Sequence, residues 1–310
     1  MTPLVRVTLV HNPTAGDEAH SKGALLAMLR GLGHQVSYQS TKAPHWEDAL
    51  QRPADLVVAA GGDGTVGKVA KRLLGSQTPL AILPLGTANN LAKALGSFGN
   101  LDELAESWDP DRPSAIDMGR CAVGTDDLPF VEAMGGGVVA EAMRAAERRA
   151  DHLTSPGRGT DRALHLLADM ASVARPESWH VVLDGEDLDG DYLGVEVMNT
   201  RFVSTNVPLA PGADPGDGLL DVVLIGADDG AALVRYLRDR LEQGAAAAPE
   251  LPIRRGTTMR LRPPTGAVLH VDDATRRTAD RADLQVTVEP RAVLVTGRPR
   301  HATPASPSGP

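Results

Sequence analysis

The hydrophobic and polar positions of the first 120 residues alternate between a strand period and a helix period. Strand-like apolar runs occupy residues 4–10, 35–40, 55–60 and 79–85. Between them, apolar residues recur at the spacing of one helix face: Leu25, Met28, Leu29 and Leu32, then Val66, Val69, Ala70, Leu73 and Leu74. A further helix is expected from Asn90. Strands that alternate with amphipathic helices predict a parallel sheet covered by helices on both faces.

After about residue 120 the pattern becomes β-rich. Longer strand-like runs follow one another, among them WHVVLDG, YLGVEVMN, LLDVVLIG and LQVTVEPRAVLVTG. Alternating apolar and polar residues in the last run are typical of a half-buried antiparallel strand. Helices are expected only at 138–151, 160–174 and 229–243. We therefore expect an α/β domain over 1–119, a β-rich domain over 120–297, and a disordered tail over 298–310, which lacks an apolar pattern.

Composition narrows the class of protein. The chain has 310 residues, of which 42% are hydrophobic, and it lacks an apolar run near the roughly 18 residues that span a bilayer. The start, MTPLVRVTLVHNP, reads as a first strand rather than a signal peptide, and the single cysteine, Cys121, cannot form an internal disulfide. We expect a cytoplasmic protein.

Charge excludes one class of partner and suggests another. A net charge of −9 argues against nucleic acid, whose binding needs clustered Lys and Arg. A local exception is a basic stretch that either faces an anionic membrane or forms an exposed helix face and loop. It consists of Arg144, Arg148, Arg149, Arg158 and Arg162.

The most informative stretch runs from Asp55 to Lys71 and joins a buried strand, a glycine loop and a helix. The loop reads GGDGT, residues 61–65. A glycine loop at a helix N-terminus offers free backbone N–H groups and a positive dipole end, which bind phosphate. Gly62 to Val69 also matches the Walker A pattern except at its last position, where Val69 cannot supply the hydroxyl that binds Mg²⁺. The loop acid Asp63 favours a phosphate site that includes Mg²⁺ over a true P-loop.

A second glycine loop, PLGTANNL at 84–91, follows the next strand. Asn89 or Asn90 is a candidate helix cap, but capping accounts for only one of them. Two such loops at adjacent strand ends form the crevice in which α/β sheets bind ligands. Together the two loops predict one nucleotide site, with Gly86, Thr87 and Asn89 in the second loop.

These motifs resemble those of soluble bacterial diacylglycerol kinases and related lipid kinases. The resemblance covers nearly the whole chain and rests on GGDGT at 61–65, PLGTANNLAKALG at 84–96, Asn12-Pro13-x-Ala15-Gly16, and DPGDGLLDVV at 214–223. GGDGT alone is also similar to the loop of NAD kinases and phosphofructokinases. The resemblance implies a NAD kinase/phosphofructokinase-like α/β domain, a β-sandwich domain, and ATP with Mg²⁺ between them.

The resemblance also implies roles for single residues. Those expected at the nucleotide are Asn12, Gly16, Gly61, Gly62, Asp63, Gly64 and Thr65. Asp63 and Asp117 match acids of a magnesium and water network, and Asn90 stands at the position of its third acid. Asp272 matches the aspartate that accepts the proton of the lipid hydroxyl, although Ala274 replaces the glutamate of that motif. Lys68 stands where many members carry a glutamate.

The leading hypothesis is an ATP- and Mg²⁺-dependent lipid kinase that contacts the membrane peripherally during turnover. Two alternatives stay open: an NAD kinase-like kinase of a soluble acceptor, and a nucleotide-binding regulator without catalysis, which the residues Lys68, Asn90 and Ala274 motivate. The lipid and the oligomeric state, a homodimer included, are not determined by the sequence.

Overall fold

A computed structural model describes residues 5–16, 20–150, 158–244, 246–279 and 282–297. The tail expected over 298–310 lies outside these residues. Side chains are described in the same ranges except at 149–150 and 158–160.

The N-terminal part is built on a parallel sheet. Its strands are β1 (Arg6–His11), β2 (Gln35–Ser40), β3 (Leu56–Gly61) and β4 (Leu80–Pro84). They lie in the order β4-β3-β1-β2, and each neighbouring pair is parallel. Both faces of β3 are buried, as its continuous apolar run LVVAAG predicts. The parallel sheet expected from the sequence is confirmed.

Helices cover both faces of this sheet. They are α1 (Lys22–Gly31), α2 (Asp63–Arg72), α3 (Asn90–Ala94) and α4 (Leu101–Glu106), with a 3₁₀ helix at Trp46–Gln51 between β2 and β3. α2 and α3 pack on one face, where Val66, Val69 and Leu91 join the core. α1 packs on the other face through Leu25 and Leu29. The helical spacing of the apolar residues thus decides which side of each helix is buried.

The C-terminal part is mostly antiparallel. Its first strands are β5 (Ser114–Val123), β6 (Asp126–Phe130), β7 (Ala133–Gly137), β8 (Glu177–Leu183), β9 (Glu186–Asp187) and β10 (Gly190–Tyr192). The others are β11 (Gly194–Met198), β12 (Leu220–Ile225), β13 (Ile253–Gly256), β14 (Thr258–Arg262), β15 (Val268–Val271), β16 (Ala274–Arg277) and β17 (Leu284–Val295).

Two sheets face each other across one apolar core. The second sheet runs β13-β12-β11-β7-β15-β16, and the first, large sheet contains β8, β14, β17 and β5. Trp179 and Phe130 from the large sheet pack with Met134, Val195 and Leu269 from the second. The C-terminal part is therefore an antiparallel β-sandwich beside an α/β part, and the expected fold class is confirmed.

Three helices cover the outer face of the second sheet: α5 (Val138–Ala150), α6 (Arg158–Val173) and α7 (Ala227–Gln243). α7 begins where Asp229 accepts the backbone N–H of Gly226, and it ends at Gly244, which has a positive φ of 74°. The helices expected at 138–151, 160–174 and 229–243 agree with these bounds to within two residues at each end, over the described part of the chain.

The long strand β17 joins the two parts of the molecule. It pairs with β14 and β5 along most of its length, and Val295 pairs in parallel with Leu80 of β4. The division expected at 119/120 falls inside β5, so it stays a prediction. None of the helices in the described ranges is long and apolar enough to cross a membrane.

Candidate active site

Three loops meet at the carboxyl-terminal edge of the parallel sheet. They follow β1, β3 and β4, which are adjacent strands, and contain the Asn12–Gly16, Gly61–Thr65 and Gly86–Asn89 motifs. The first loop is an Asx turn, since the Asn12 side chain accepts from the Thr14 backbone N–H at 3.2 Å and its hydroxyl at 2.9 Å. Gly16 has a positive φ of 80°. The edge is where ligands bind in open α/β sheets.

The two glycine loops touch each other through their backbones. A Cβ on Gly62 would lie 3.1 Å from the Gly86 Cα, and a Cβ on Gly86 would overlap the Gly62 Cα. Asn89 closes the second loop on itself, because its side chain accepts from the Gly86 N–H at 2.9 Å and donates to the Gly86 carbonyl at 2.7 Å. Thr87 is exposed between them. Glycine at 62 and 86 is therefore required for the two loops to pack against each other at the sheet edge.

Asp63 links the first glycine loop to the helix after the second. It is the first residue of α2, and its carboxylate accepts the Leu91 backbone N–H of α3 at 3.2 Å. Burial raises the pKa of Asp63, and backbone N–H groups of residues 89–91 oppose that rise. Thr65 packs behind the loop, where a Cβ on Gly61 would lie 2.7 Å from its side chain. The acid is therefore positioned by two elements at once.

Asp272 occupies the two-residue turn between β15 and β16, where its φ is 50°. Its Oδ1 accepts backbone N–H groups of Glu132 at 2.8 Å, Val131 at 3.1 Å and Ala133 at 3.3 Å. Its Oδ2 forms an ion pair with Lys71 Nζ at 2.7 Å. One oxygen is thus held by the β7 end of the sandwich, and the other faces α2.

The Asp272–Asp273 turn lies directly against the first turns of α2. A Cβ on Gly64 would lie 2.6 Å from Asp273 Oδ2, and a Cβ on Gly67 would lie 3.9 Å from Asp272 Oδ2. The missing side chain at Gly64 therefore permits a close contact between the expected phosphate loop and Asp273, the neighbour of the expected catalytic aspartate. Residues far apart in the chain meet here only because the sandwich packs on the α/β part.

Glu132 is an acid at this site that sequence reasoning missed. It directly precedes β7, and its Oε2 accepts the side-chain N–H of Asn90 at 3.1 Å. Burial raises the pKa of Glu132 well above its usual range, and the nearby Asp63 and Asp272 carboxylates raise it further. Asn90, at the position where the resemblance implies an acid, is thus paired with a carboxylate from another element. The available signal was a lone acid before the apolar run AMGGG.

Lys71 is the second residue that was missed. Its ammonium group reaches Asp272 and is only partly exposed. Arg72 forms an exposed ion pair with Glu47, and Lys68 lines the cleft with an exposed side chain. Ala274 begins β16 and leaves no carboxylate there.

The structure places Asp117 apart from the other site residues. Its carboxylate accepts backbone N–H groups of Gly218 and Arg291, each at 2.7 Å, and it does not line the cleft that contains Asp63. Within the described ranges, no group of three or more His, Cys, Asp or Glu side chains is placed to hold a metal ion. Asp63 and the Asn90 side-chain oxygen, which is buried without a partner, do fit an Mg²⁺ ion that keeps other ligands from water or phosphate.

A buried ion pair in the sandwich core contacts the backbone of the Asp272 turn. His270 Nε2 lies 2.6 Å from Glu196 Oε2, both side chains are fully buried, and His270 Nδ1 lies 3.1 Å from the Asp272 carbonyl oxygen. Burial alone would lower the pKa of His270, but the charge and hydrogen bond of Glu196, together with the contact to Asp272, outweigh it and raise the pKa. Gly135 makes room for the pair, since a Cβ there would overlap the Glu196 carboxylate.

A cleft of about 950 Å³ leads from these acids to the helices of the C-terminal part. The acids Asp63, Glu132 and Asp272 line it together with residues of α5 and α6. The residues of these two helices are the apolar Met143, Ala146, Ala163 and Leu166 and the polar Glu147, Asp161 and His165. Arg162 also lines the cleft, Arg148 is exposed on α5, and the side chains of Arg149 and Arg158 lie outside the described residues.

The fold and the paired glycine loops define a class that two family models describe. The model for the diacylglycerol kinase catalytic domain matches residues 6–121. The model for the YegS C-terminal NAD kinase beta sandwich-like domain matches residues 136–297. The molecule is thus of the lipid kinase class in both of its parts.

Whole-chain relatives agree with this class. A diacylglycerol kinase of Mycobacterium tuberculosis H37Rv is 28% identical over 311 residues, which cover 96% of each chain. The protein named probable lipid kinase YegS-like of Stenotrophomonas maltophilia is 30% identical over 270 residues, 80% of this chain and 82% of that one. A crystal structure of a diacylglycerol kinase from Bacillus anthracis shares the fold, with a TM-score of 0.65 at 16% identity over 95% of this chain and 97% of that one. This chain belongs to the diacylglycerol kinase and YegS-like lipid kinase family.

Proposed function

We propose that this protein transfers the γ-phosphate of ATP to a lipid hydroxyl, diacylglycerol or a related lipid alcohol. The observation that carries the proposal is the contact between the glycine loop and the Asp272 turn. A Cβ on Gly64 would lie 2.6 Å from Asp273, so the phosphate cradle and the candidate base share one wall of the cleft. Phosphoryl transfer needs this proximity, because its catalysis is mostly positioning and charge stabilisation.

The nucleotide is proposed to bind at the sheet edge. Backbone N–H groups at Gly62–Gly64 and at Thr87 would hold its phosphates, because the N–H groups of Gly86 and Asn89 already donate to the Asn89 and Asp63 side chains. The Asn12–Gly16 loop would close the site from the β1 side. Asp63 and Asn90 would hold Mg²⁺, and ATP with Mg²⁺ supplies the phosphoryl group and neutralises charge on its oxygens. Asp117 would act indirectly, by tying β5 to the Gly218 loop and to β17.

Asp272 is proposed to position the acceptor hydroxyl and receive its proton. Three backbone N–H groups fix Oδ1, and Oδ2, which accepts only the Val131 N–H from the backbone, would be the oxygen that meets the acceptor. Lys71 holds Oδ2 in the structure and carries a positive charge that can also approach the transferred phosphoryl group. General base catalysis of this kind typically contributes a rate factor of about 10² to 10⁴.

The acceptor is proposed to be a lipid because the cleft is amphipathic. The acids lie at its inner end, and apolar groups such as Met143 and Leu166 line its α5 and α6 side. A hydroxyl carried on an acyl glycerol would reach Asp272 while its chains stay against the apolar wall. Such an acceptor also requires peripheral contact with a membrane during turnover.

The test is transfer of labelled γ-phosphate from ATP into chloroform-extractable material, with diacylglycerol and a total lipid extract in mixed micelles. We expect a labelled lipid that depends on Mg²⁺. Asp272→Asn should lower kcat by about 10² to 10⁴ while nucleotide binding is retained. Asp111→Asn is the matched control, because Asp111 is exposed in the turn after α4 and does not line the cleft.

Each other outcome identifies a different error. A new labelled product in the aqueous phase, other than ATP and inorganic phosphate, would indicate a soluble acceptor and refute the lipid assignment. ATP binding without transfer to any acceptor would indicate a regulator. Full activity of Asp272→Asn would remove the proposed mechanism and leave the reaction class intact.

A further inference from the structure

Glu132 is a buried carboxylate at the inner end of the cleft. It is 9% exposed and lines the same cleft as Asp63, Asn90 and Asp272. Its backbone is fixed on both sides: its N–H donates to Asp272 Oδ1 at 2.8 Å, and its carbonyl accepts from Asn199 N at 2.8 Å. The backbone contacts fix the position of the residue, and the carboxylate itself is held by Asn90, whose side-chain N–H donates to Oε2 at 3.1 Å.

The charge of Glu132 is not balanced by a basic residue. The nearby carboxylates of Asp63, Asp272 and Asp273 all oppose its ionisation, and in the described part of the chain no Lys, Arg or His forms an ion pair with it. Lys71 is already paired with Asp272. An acid buried among acids costs free energy unless a cation or a proton compensates it.

Asn90 provides a second, independent indication of a ligand. It is 1% exposed and lines the cleft. Its side-chain N–H group is shared between Glu132 Oε2 at 3.1 Å and the Ser204 carbonyl at 2.8 Å, whereas its Oδ1 is buried without a partner. An amide oxygen without a donor, beside two carboxylates, forms a set of hard oxygen atoms of the kind that bind Mg²⁺.

We propose that Glu132 is a metal-binding acid of this cleft, which holds Mg²⁺ together with Asn90 and Asp63. The inference rests on the proposed function, because the ion would arrive with the nucleotide and keep water and phosphate oxygens as its other ligands. A purely structural Glu132 would only accept the Asn90 hydrogen bond, and a neutral amide can do that equally well. The two roles are therefore separable by Glu132→Gln.

The experiment measures Mn²⁺ binding by electron paramagnetic resonance with a non-hydrolysable ATP analogue and the full chain. We expect Glu132→Gln to raise the Kd for Mn²⁺ by about 10- to 100-fold. Glu186→Gln, in the exposed strand β9, is the matched control and should leave the Kd unchanged. Because glutamine has the shape of glutamate, the melting temperature of Glu132→Gln should stay at or above that of the wild type.

A double variant tests whether the carboxylate itself is needed. Asn90→Asp combined with Glu132→Gln exchanges the amide and the acid between the two positions and returns one carboxylate to the cleft. We expect its Kd for Mn²⁺ to recover toward the wild-type value. Its stability should fall, because the side-chain N–H that Asn90 donates to the Ser204 carbonyl is lost.

Three results would contradict the inference, and the third would also contradict the proposed function. A wild-type Kd in Glu132→Gln would overturn the role of Glu132 and leave the proposed function intact. A folded double variant that binds Mn²⁺ as weakly as Glu132→Gln would also overturn it. A wild-type protein that binds no metal with the nucleotide would contradict the proposed function as well.

Discussion

The buried pair of His270 and Glu196 gives the sharpest prediction about stability. Both side chains are fully buried in the sandwich, 2.6 Å apart, and Glu196 Oε1 already lacks a hydrogen-bond partner. Replacing His270 by Leu removes the only cation that faces Glu196 among the contacts described for it. The carboxylate then remains in an apolar core, where it must stay uncompensated or take up a proton.

The magnitude follows from the burial of both groups. Breaking a buried ion pair by removing one partner costs about 3–5 kcal/mol, because the other charge is left without compensation. Replacing both partners by apolar residues of similar volume is often neutral or stabilising by about 1–4 kcal/mol. We therefore expect His270→Leu to be less stable than the double variant His270→Leu with Glu196→Met.

The pH dependence has a definite sign. Although burial lowers the pKa of His270, Glu196 and Asp272 together raise it more, so the folded state binds the proton more tightly than the unfolded state. This contribution to stability is fully present below the unfolded pKa of about 6.5 and is lost as the pH rises through the folded pKa. The stability of the wild type should therefore fall with rising pH relative to the double variant.

The assay is urea unfolding, monitored by tryptophan fluorescence and far-UV circular dichroism, at pH values from below about 6.5 to above the folded pKa of His270. Trp179 lies in the same core, so its emission reports unfolding of the sandwich. A single variant that equals or exceeds the double variant in stability would refute the reasoning, since it would mean that Glu196 needs no partner. A pH-independent difference between wild type and double variant would refute the assigned charge of His270.

Three further predictions concern the site and its surroundings. Lys71→Met removes the ion pair with Asp272 and should lower kcat by roughly 10²-fold at unchanged nucleotide affinity, measured by steady-state phosphate transfer. Gly86→Ala places a Cβ on the Gly62 backbone and should weaken binding of an ATP analogue by about 10-fold, or ~1.4 kcal/mol, in calorimetry. Burial raises the pKa of Asp221 to about 6, so ionisation of its carboxyl group costs stability as the pH rises. Asp221→Asn should therefore stabilise the folded protein by about 1–2 kcal/mol at alkaline pH and lose this gain in acid. Urea unfolding measures both.

Each of these variants has a control. Arg72→Met removes an exposed cation of the same helix as Lys71 and should leave kcat unchanged. Gly31→Ala should leave the affinity for the ATP analogue unchanged, because no atom lies within 4 Å of a Cβ at that position. Asp283→Asn should instead destabilise the folded protein at alkaline pH, because Arg260 lowers the pKa of Asp283. Equal effects in a variant and its control would show that the assigned contact is not the cause.

Local features of the chain were predictable because they depend on neighbours in sequence. The βα turn at Gly61–Thr65 follows from an apolar strand that ends in glycines before an amphipathic helix, and the structure has β3 ending at Gly61 and α2 beginning at Asp63. The end of α7 at Gly244 follows equally from local backbone preference. The roles of Asp272 and of the glycine loops in catalysis and binding stay predictions.

Some residues of the site carried a sequence signal that was not used. Glu196 stands alone in the apolar strand GVEVM, and His270 stands alone in VLHV. A single charged residue inside a buried strand requires a partner, which is rare enough to mark a special position. The sequence does not say which partner it is, because the two residues are 74 positions apart.

By itself, the sequence determined the parallel sheet, the β-rich second part, and the glycine loops between strands and helices, since periodicity and glycine spacing act within a few residues. The tertiary structure decided which side chains share the cleft: Glu132 beside Asn90, Lys71 on Asp272, and Asp117 turned to backbone N–H groups instead. Such pairings depend on how two sheets and their helices pack, and packing brings together residues whose separation along the chain leaves no periodic trace.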